Sequence, residues 1–190
     1  MPAAVLWPIV SIAGIFLARL TELGTKRQVI RGPIRENLSL RLFIAVGTVM
    51  FASSMAEFLL GHKELQWPSF IAGWICALVS VAIRHRAIAA LGQFWSLHVE
   101  IREQHQFVQS GPFRWMRHPT YFSMFLELLA AGLILNAWFS LLIIPVLFVP
   151  VLCWRIKLEE AALVEKFGDA YRHYQQTVPA IFPTKWRPIP

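Results

Sequence analysis

Arg155, Glu159 and Glu160 lie within six residues of one another, after the last long apolar run of the chain. On a helix, residues four apart share a face and the next lies about 100° round, so one cation and two carboxylates gather on one side. As a plain interfacial ion pair the group is worth only tenths of a kcal/mol, with the arginine stem lying along apolar surface. As part of a site it offers a fork for a carboxylate and two acceptors for a cation. A second candidate is Arg117-His118-Pro119-Thr120-Tyr121. Proline presets a first helical turn, and the unpaired N–H groups of a helix start, with an imidazole and a phenol beside them, make a polar ring. Upstream come Leu91-Gly92-Gln93-Phe94-Trp95-Ser96, then His98, Glu100, Glu103 and His105, and then Phe107 to Phe113, where Ser110-Gly111-Pro112 signals a turn. The stretch beginning at Leu91 reads as strand-like or irregular.

These residues lack the frames of several common sites. No GxGxxG follows a strand and no GxxxxGK[ST] is present, which removes dinucleotide and P-loop readings. His98 and His105 are seven apart without a nearby cysteine, and Cys76 and Cys153 fall in apolar stretches, so neither a zinc site nor a disulfide framework is indicated.

The elements that position these groups follow from composition. The 190 residues are 56% apolar and 15% charged, with a mean hydropathy of +0.52. A soluble domain averages roughly 25% charged residues, so the pattern is that of an integral membrane protein. The net charge of +7 sits between apolar runs, where anionic headgroups account for it better than nucleic acid does. A bilayer core of about 30 Å takes about 20 apolar helical residues. Spans are expected at about 2–20, 42–61 and 65–83. The run Pro119–Trp154 would be about 54 Å long as one helix, and Asn136-Ala137 supplies a break, giving spans at 119–135 and 138–154 as a tight hairpin. The first apolar run has its positive charges after it, which inverts the order of a signal peptide and makes it a retained span. Lys and Arg alternate between loops so that the N-terminus is placed outside and the C-terminus in the cytoplasm. The expectation is an all-α, single-domain membrane protein over residues 1–190. It has five transmembrane helices, a hairpin of spans 4 and 5, and a cytoplasmic amphipathic helix built on Leu158, Leu163, Phe167, Tyr171 and Tyr174.

From Gly92 through Pro183 the chain resembles the isoprenylcysteine carboxyl methyltransferase family and its relatives the membrane phospholipid methyltransferases. The resemblance lies in LGQFWS, HQFVQSGPF, RHPTY, RIKLEE from Arg155, and FGDAYRHYQQTVPAIFP, in that order and spacing. It is similar to the short prokaryotic type. The resemblance implies S-adenosylmethionine as cofactor, held by the regions 92–121 and 155–183. It also implies that His105, Gln106, Phe107 and Val108 line the cofactor, joined by Phe113, His118, Pro119, Thr120 and Tyr121. Glu159 and Glu160 would engage its charged end, Arg155 would face the substrate, and Arg155 and Glu159 would be the catalytic pair. His98 stands where some members place a cofactor-contacting residue. Phe113 replaces the family's usual Tyr, and Ser123 a common Gly.

The implied activity is methyl transfer to a lipidic acceptor within the membrane, with prenylcysteine carboxyl O-methylation first, and phospholipid or polyketide-lipid N- or O-methylation as the alternative. A carboxylate is ionised near neutral pH and needs no base, whereas an amine or phenol would need His118, Glu159 or Tyr121 to take a proton. A sterol-type reductase using NADPH, or a scaffold without activity, are the readings of other classes. Two carboxylates lie within spans, Glu57 and Glu127. Intramembrane carboxylates mark a cavity or a partner, and Glu127 is expected to line the acceptor's path.

Overall fold

The computed structural model describes residues 3–25, 37–61, 64–96 and 107–182. Among these the chain is all-helical: α1 (Ala3–Gly24), α2 (Leu38–Leu60), α3 (Trp67–Leu91), α4 (Pro119–Ile134), α5 (Trp138–Phe167) and α6 (Asp169–Thr177), with 3-10 turns at Gly92–Phe94 and Gly111–Arg114. The strand-like expectation for the stretch after Leu91 is therefore corrected: it is one short 3-10 turn that ends α3, begun by Gly92 at φ 52. Four helices, α1, α2, α3 and α5, are long and apolar enough to cross a membrane, whereas α4 has 16 residues. The chain is an integral membrane protein, and its exterior shows why it is so apolar. Large side chains such as Leu17, Ile75, Leu78, Leu142 and Val146 point outward, where lipid replaces water.

Two packing relations fix the site. α3 lies along α4, and α2 along α5. The buried face of α3 is a stripe of small residues, Ser69, Gly73, Ala77 and Ser80, ending in Arg84 and Ala87. A Cβ on Gly73 would come within 2.9 Å of the Ile134 backbone nitrogen, so the backbones approach as closely as small residues allow. Ser69 and Ser80 donate their hydroxyls to the carbonyls of Leu133 and Ser123, each at 2.7 Å. Ser123, fully buried, donates in turn to the Thr120 carbonyl. Membrane helices have no water-driven attraction, so close contacts and such bonds carry the association. The helix also outruns the sequence expectation, continuing to Leu91 rather than ending near residue 83, because Arg84 stays on the inward stripe instead of entering a loop.

The break in the last apolar run is where its turn residue stands. Asn136 has φ 53, a left-handed conformation that Asn tolerates better than most residues. Glu57 of α2 closes the far side of this turn. Its carboxylate accepts from the backbone N–H of Phe139 (3.1 Å) and Ser140 (2.8 Å) and from the Ser140 hydroxyl (3.0 Å). It thus caps the positive N-terminal end of α5 from a neighbouring helix, which gives this intramembrane carboxylate a structural role. α5 then runs for 30 residues to Gly168 at φ 56, where α6 begins.

Candidate active site

The start of α4 meets the second half of α5. Pro119 occupies the first turn of α4, and the segment before it is pinned by the C-terminal chain: the backbone N–H groups of Arg117 and His118 donate to Pro179 (2.9 Å) and Ala180 (2.8 Å). Arg117 turns away from solvent, donating to the Gln175 carbonyl (2.9 Å), to the Val178 carbonyl and to Glu160 (2.6 Å). The His118 Nε2 lies 3.0 Å from the same Glu160 oxygen, and Gln175 donates to the other at 2.9 Å. An ionised carboxylate only accepts, so Glu160 is what ties α4's entrance, α5 and α6 together.

Glu159 faces differently. Its carboxylate accepts from the Tyr121 hydroxyl at 2.7 Å, and the same phenol oxygen accepts from Arg155 Nε at 2.9 Å. Tyr121 is thus the bridge between the two α5 residues that share a face. Arg155 also donates to Ser39 at the start of α2 (2.9 Å), and its guanidinium lies 5.9 Å from the Phe43 ring centre. It is 2% exposed. His118 stacks on Tyr121, with its Nδ1 3.7 Å from Glu159.

These groups stand at one end of a cavity of about 600 Å³. Its lining includes Phe107, Val108, Phe113, His118, Thr120 and Tyr121, and from α5 Arg155 and Glu159. Glu160 and Pro119 lie behind that lining, Glu160 with both oxygens bonded to protein and Pro119 fully buried. The side chain of Glu159 is 33% exposed, which makes it the carboxylate of the pair that borders the space. His98, His105 and Gln106 fall outside the described residues. The wall on the α6 side is aromatic: Phe107 meets Phe167, Tyr171 and Tyr174 at 5.0, 5.5 and 5.7 Å between ring centres. Tyr174 donates its hydroxyl to the Phe113 carbonyl at 2.6 Å, so position 113 contributes through its backbone although its side chain lacks a hydroxyl. Burial, first, and the negative charges of Glu160 and Glu159 push the Tyr171 phenol well above its ordinary value. Burial raises that of Tyr174 as well.

Away from this polar end the cavity becomes apolar, walled by Ile12 and Phe16 of α1, Gly47 and Phe51 of α2, and Ala131 of α4. Glu127 lines it too, in an ion pair with Arg84 at 2.6 Å. Ser39 and Arg84 had no signal of their own in the sequence reading. Arg84 was findable, because it continues the spacing of the small residues on α3 and because a carboxylate at bilayer depth demands a partner.

Comparison with known proteins agrees with this arrangement. The sequence model of the isoprenylcysteine carboxyl methyltransferase (ICMT) family matches residues 73–165, from the glycine of the α3–α4 contact to just beyond Glu160. The Bacillus subtilis (strain 168) protein YpbQ is 31% identical over 123 residues, 64% of this chain and 72% of that one. The chain belongs to the isoprenylcysteine carboxyl methyltransferase family. It is 29% identical over 131 residues to the protein-S-isoprenylcysteine O-methyltransferase of Schizosaccharomyces pombe, covering 63% of this chain and 56% of the yeast protein. The solved eukaryotic intramembrane Ras methyltransferase ICMT aligns with a TM-score of 0.60 at 27% identity, over 79% of this chain and 55% of that one. The chain therefore spans little more than half the length of these two methyltransferases. The ICMT match covers the hairpin with both polar clusters, so the family likeness and the site fall on the same part of the molecule.

Proposed function

We propose that the chain is an S-adenosylmethionine-dependent methyltransferase acting on a membrane-embedded lipidic acceptor, by carboxyl O-methylation of a prenylcysteine-like lipid. One observation carries this reading: His118, Tyr121, Arg155 and Glu159 are joined on the wall of a cavity whose lining is otherwise largely apolar. A polar reactant and a lipid tail can occupy such a space together. The names of the family and of the yeast relative supply the reaction class.

The residues present fit the cofactor. A volume of about 600 Å³ lies within the roughly 300–1,000 Å³ of small-molecule sites. Glu159 would take the ammonium of the cofactor, and Phe107, Tyr171 and Tyr174 would wall its flat base. When bound, S-adenosylmethionine supplies a methyl group activated by a sulfonium charge. The chain's own task is alignment and exclusion of water. Arg155, whose position the Tyr121 and Ser39 bonds fix, would hold the acceptor's carboxylate, with no proton to remove. In the membrane, α4 would be the fourth of five crossings, placing the N-terminus outside, the site and C-terminus in the cytoplasm, and α6 at the interface with Tyr171 and Tyr174 turned inward.

The test is a titration of the purified protein in detergent. S-adenosylhomocysteine should bind with micromolar affinity and NADPH should not displace it. Binding of NADPH alone would replace this reading with a reductase, and binding of neither would leave a scaffold. Lipid extracts incubated with labelled methyl donor then identify the acceptor.

A further inference from the structure

The cavity has a second polar station that the methyl-transfer site does not use. Arg84 of α3, 3% exposed, donates to Glu127 of α4 at 2.6 Å and to Glu22 of α1 at 2.8 Å. Arg19 of α1 donates to Glu22 at 2.9 Å and lies 4.0 Å from Glu127. All four side chains line the cavity. Glu127 lies on the same face of α4 as Tyr121: Tyr121, Met124, Glu127 and Ala131 all border the space, and six positions of helix separate Tyr121 from Glu127 by about 9 Å.

Two properties of this network limit what can lie against it. It holds two cations and two carboxylates, so its net charge is zero, and a charged group entering would leave one charge uncompensated where solvation is poor. Plain hydrocarbon would strip its remaining water and return no hydrogen bond. The unspent capacity is that of an acceptor. Both ion contacts of Glu127 converge on one oxygen, Oε2, no contact among the described residues falls on Oε1, and the side chain is 22% exposed. A carboxylate offers about four acceptor directions.

We propose that Glu127, held by Arg84 and Arg19, is a specificity-determining station, and that the lipid acceptor carries an uncharged hydrogen-bond donor, a hydroxyl or amide N–H, about two helical turns from the atom that receives the methyl group. This rests on the methyltransferase reading for its first station and adds the chemistry of the second. Within the class of lipidic carboxylates it selects acceptors that carry such a donor over those whose tail is unbroken hydrocarbon.

The experiment uses the full chain in detergent saturated with S-adenosylhomocysteine. Equilibrium binding is measured for a plain C16 carboxylic acid and for its mono-hydroxylated counterparts, with the hydroxyl moved stepwise along the chain. The expected result is one favoured hydroxyl position that binds at least tenfold tighter than the plain acid, with the preference lost in Glu127→Leu, which removes the acceptor, while S-adenosylhomocysteine affinity stays unchanged. Equal binding of plain and hydroxylated acids by the unmodified protein, or no binding of either, overturns the proposal even if the variant fails to fold. A preference that persists in Glu127→Leu also overturns it. Failure to bind S-adenosylhomocysteine at all is the separate failure of the methyltransferase reading.

Discussion

Replacing Tyr121 by Phe removes one oxygen and tests the centre of the site. That oxygen accepts from Arg155 at 2.9 Å and donates to Glu159 at 2.7 Å, and the ring remains to pack on Phe43 and His118. The two partners lose unequal amounts. Arg155 is 2% exposed, so water cannot replace the lost acceptor, and a hydrogen bond to a charged group is worth about 1.5–3 kcal/mol. Glu159, at 33% side-chain exposure, can rehydrate, so its loss is of orientation rather than of stability. The expected outcome is a fall of about 2 kcal/mol in unfolding free energy. Weakening of S-adenosylhomocysteine binding should be about tenfold, which is about 1.4 kcal/mol. Denaturation in detergent reads the first and calorimetric titration the second. A double-mutant cycle with Glu159→Gln should show that the two affinity losses do not add. If Tyr121→Phe binds the ligand as the parent does and unfolds at the same point, the phenol bridge organises nothing and the site reasoning fails.

Arg155→Ala should mainly abolish turnover, and Glu159→Ala should mainly weaken S-adenosylhomocysteine binding, because the two are assigned to opposite reactants; full activity in both variants would reduce the pair to an ion-pair ornament. Glu57→Gln should cost about 1 kcal/mol of stability, the scale of a helix cap, with no change in ligand affinity, since it caps the start of α5 and is not part of the cavity lining. Stability should fall as pH rises beyond about 10, the ordinary tyrosine value. The Tyr171 and Tyr174 phenols are raised in the folded chain, so above that value the unfolded chain releases protons that the folded one keeps. Their contribution is complete below pH about 10, and Tyr174→Phe should flatten the alkaline loss seen by thermal unfolding.

Much of the fold was legible because helix length and bilayer thickness share one ruler. The break at Asn136 and the interruption at Gly168 are where turn chemistry puts them, and both residues have positive φ. The pairing of Tyr121 with the Arg155–Glu159 face was legible in outline, from a hairpin that returns the exit of one helix to the entrance of the other. What escaped was which carboxylate does what. Glu159 and Glu160 are neighbours in sequence, and only the rotation of α5 against α6 decides that Glu160 joins Arg117, His118 and Gln175 while Glu159 borders the cavity. Arg84 escaped because its charge ended the apolar window, although its helical register continued the buried stripe of α3. Ser39 escaped because nothing in a single serine distinguishes a partner of a buried guanidinium from a loop residue.

The hairpin's turn sets the register of the site. α4 ends at Ile134 and α5 begins at Trp138, and two antiparallel helices climb at the same about 1.5 Å per residue. Residues equally far from the turn therefore stand level. Tyr121 counts back to Val151, and Arg117 and His118 to Arg155 and Trp154. The long polar side chains reach about a turn or more beyond their level partners, toward the free end of α5: Tyr121 meets Arg155, and His118 and Arg117 meet Glu160. Because α4 has 16 residues and α5 has 30, α5 extends past the entrance of α4 by almost half its length. That surplus carries Glu159, Glu160 and the link to α6. The short helix supplies the floor of the polar recess and the long one its wall. The α6 aromatics close the side that neither can reach, which is why the polar end of the cavity sits where the hairpin becomes unequal and not at its tip.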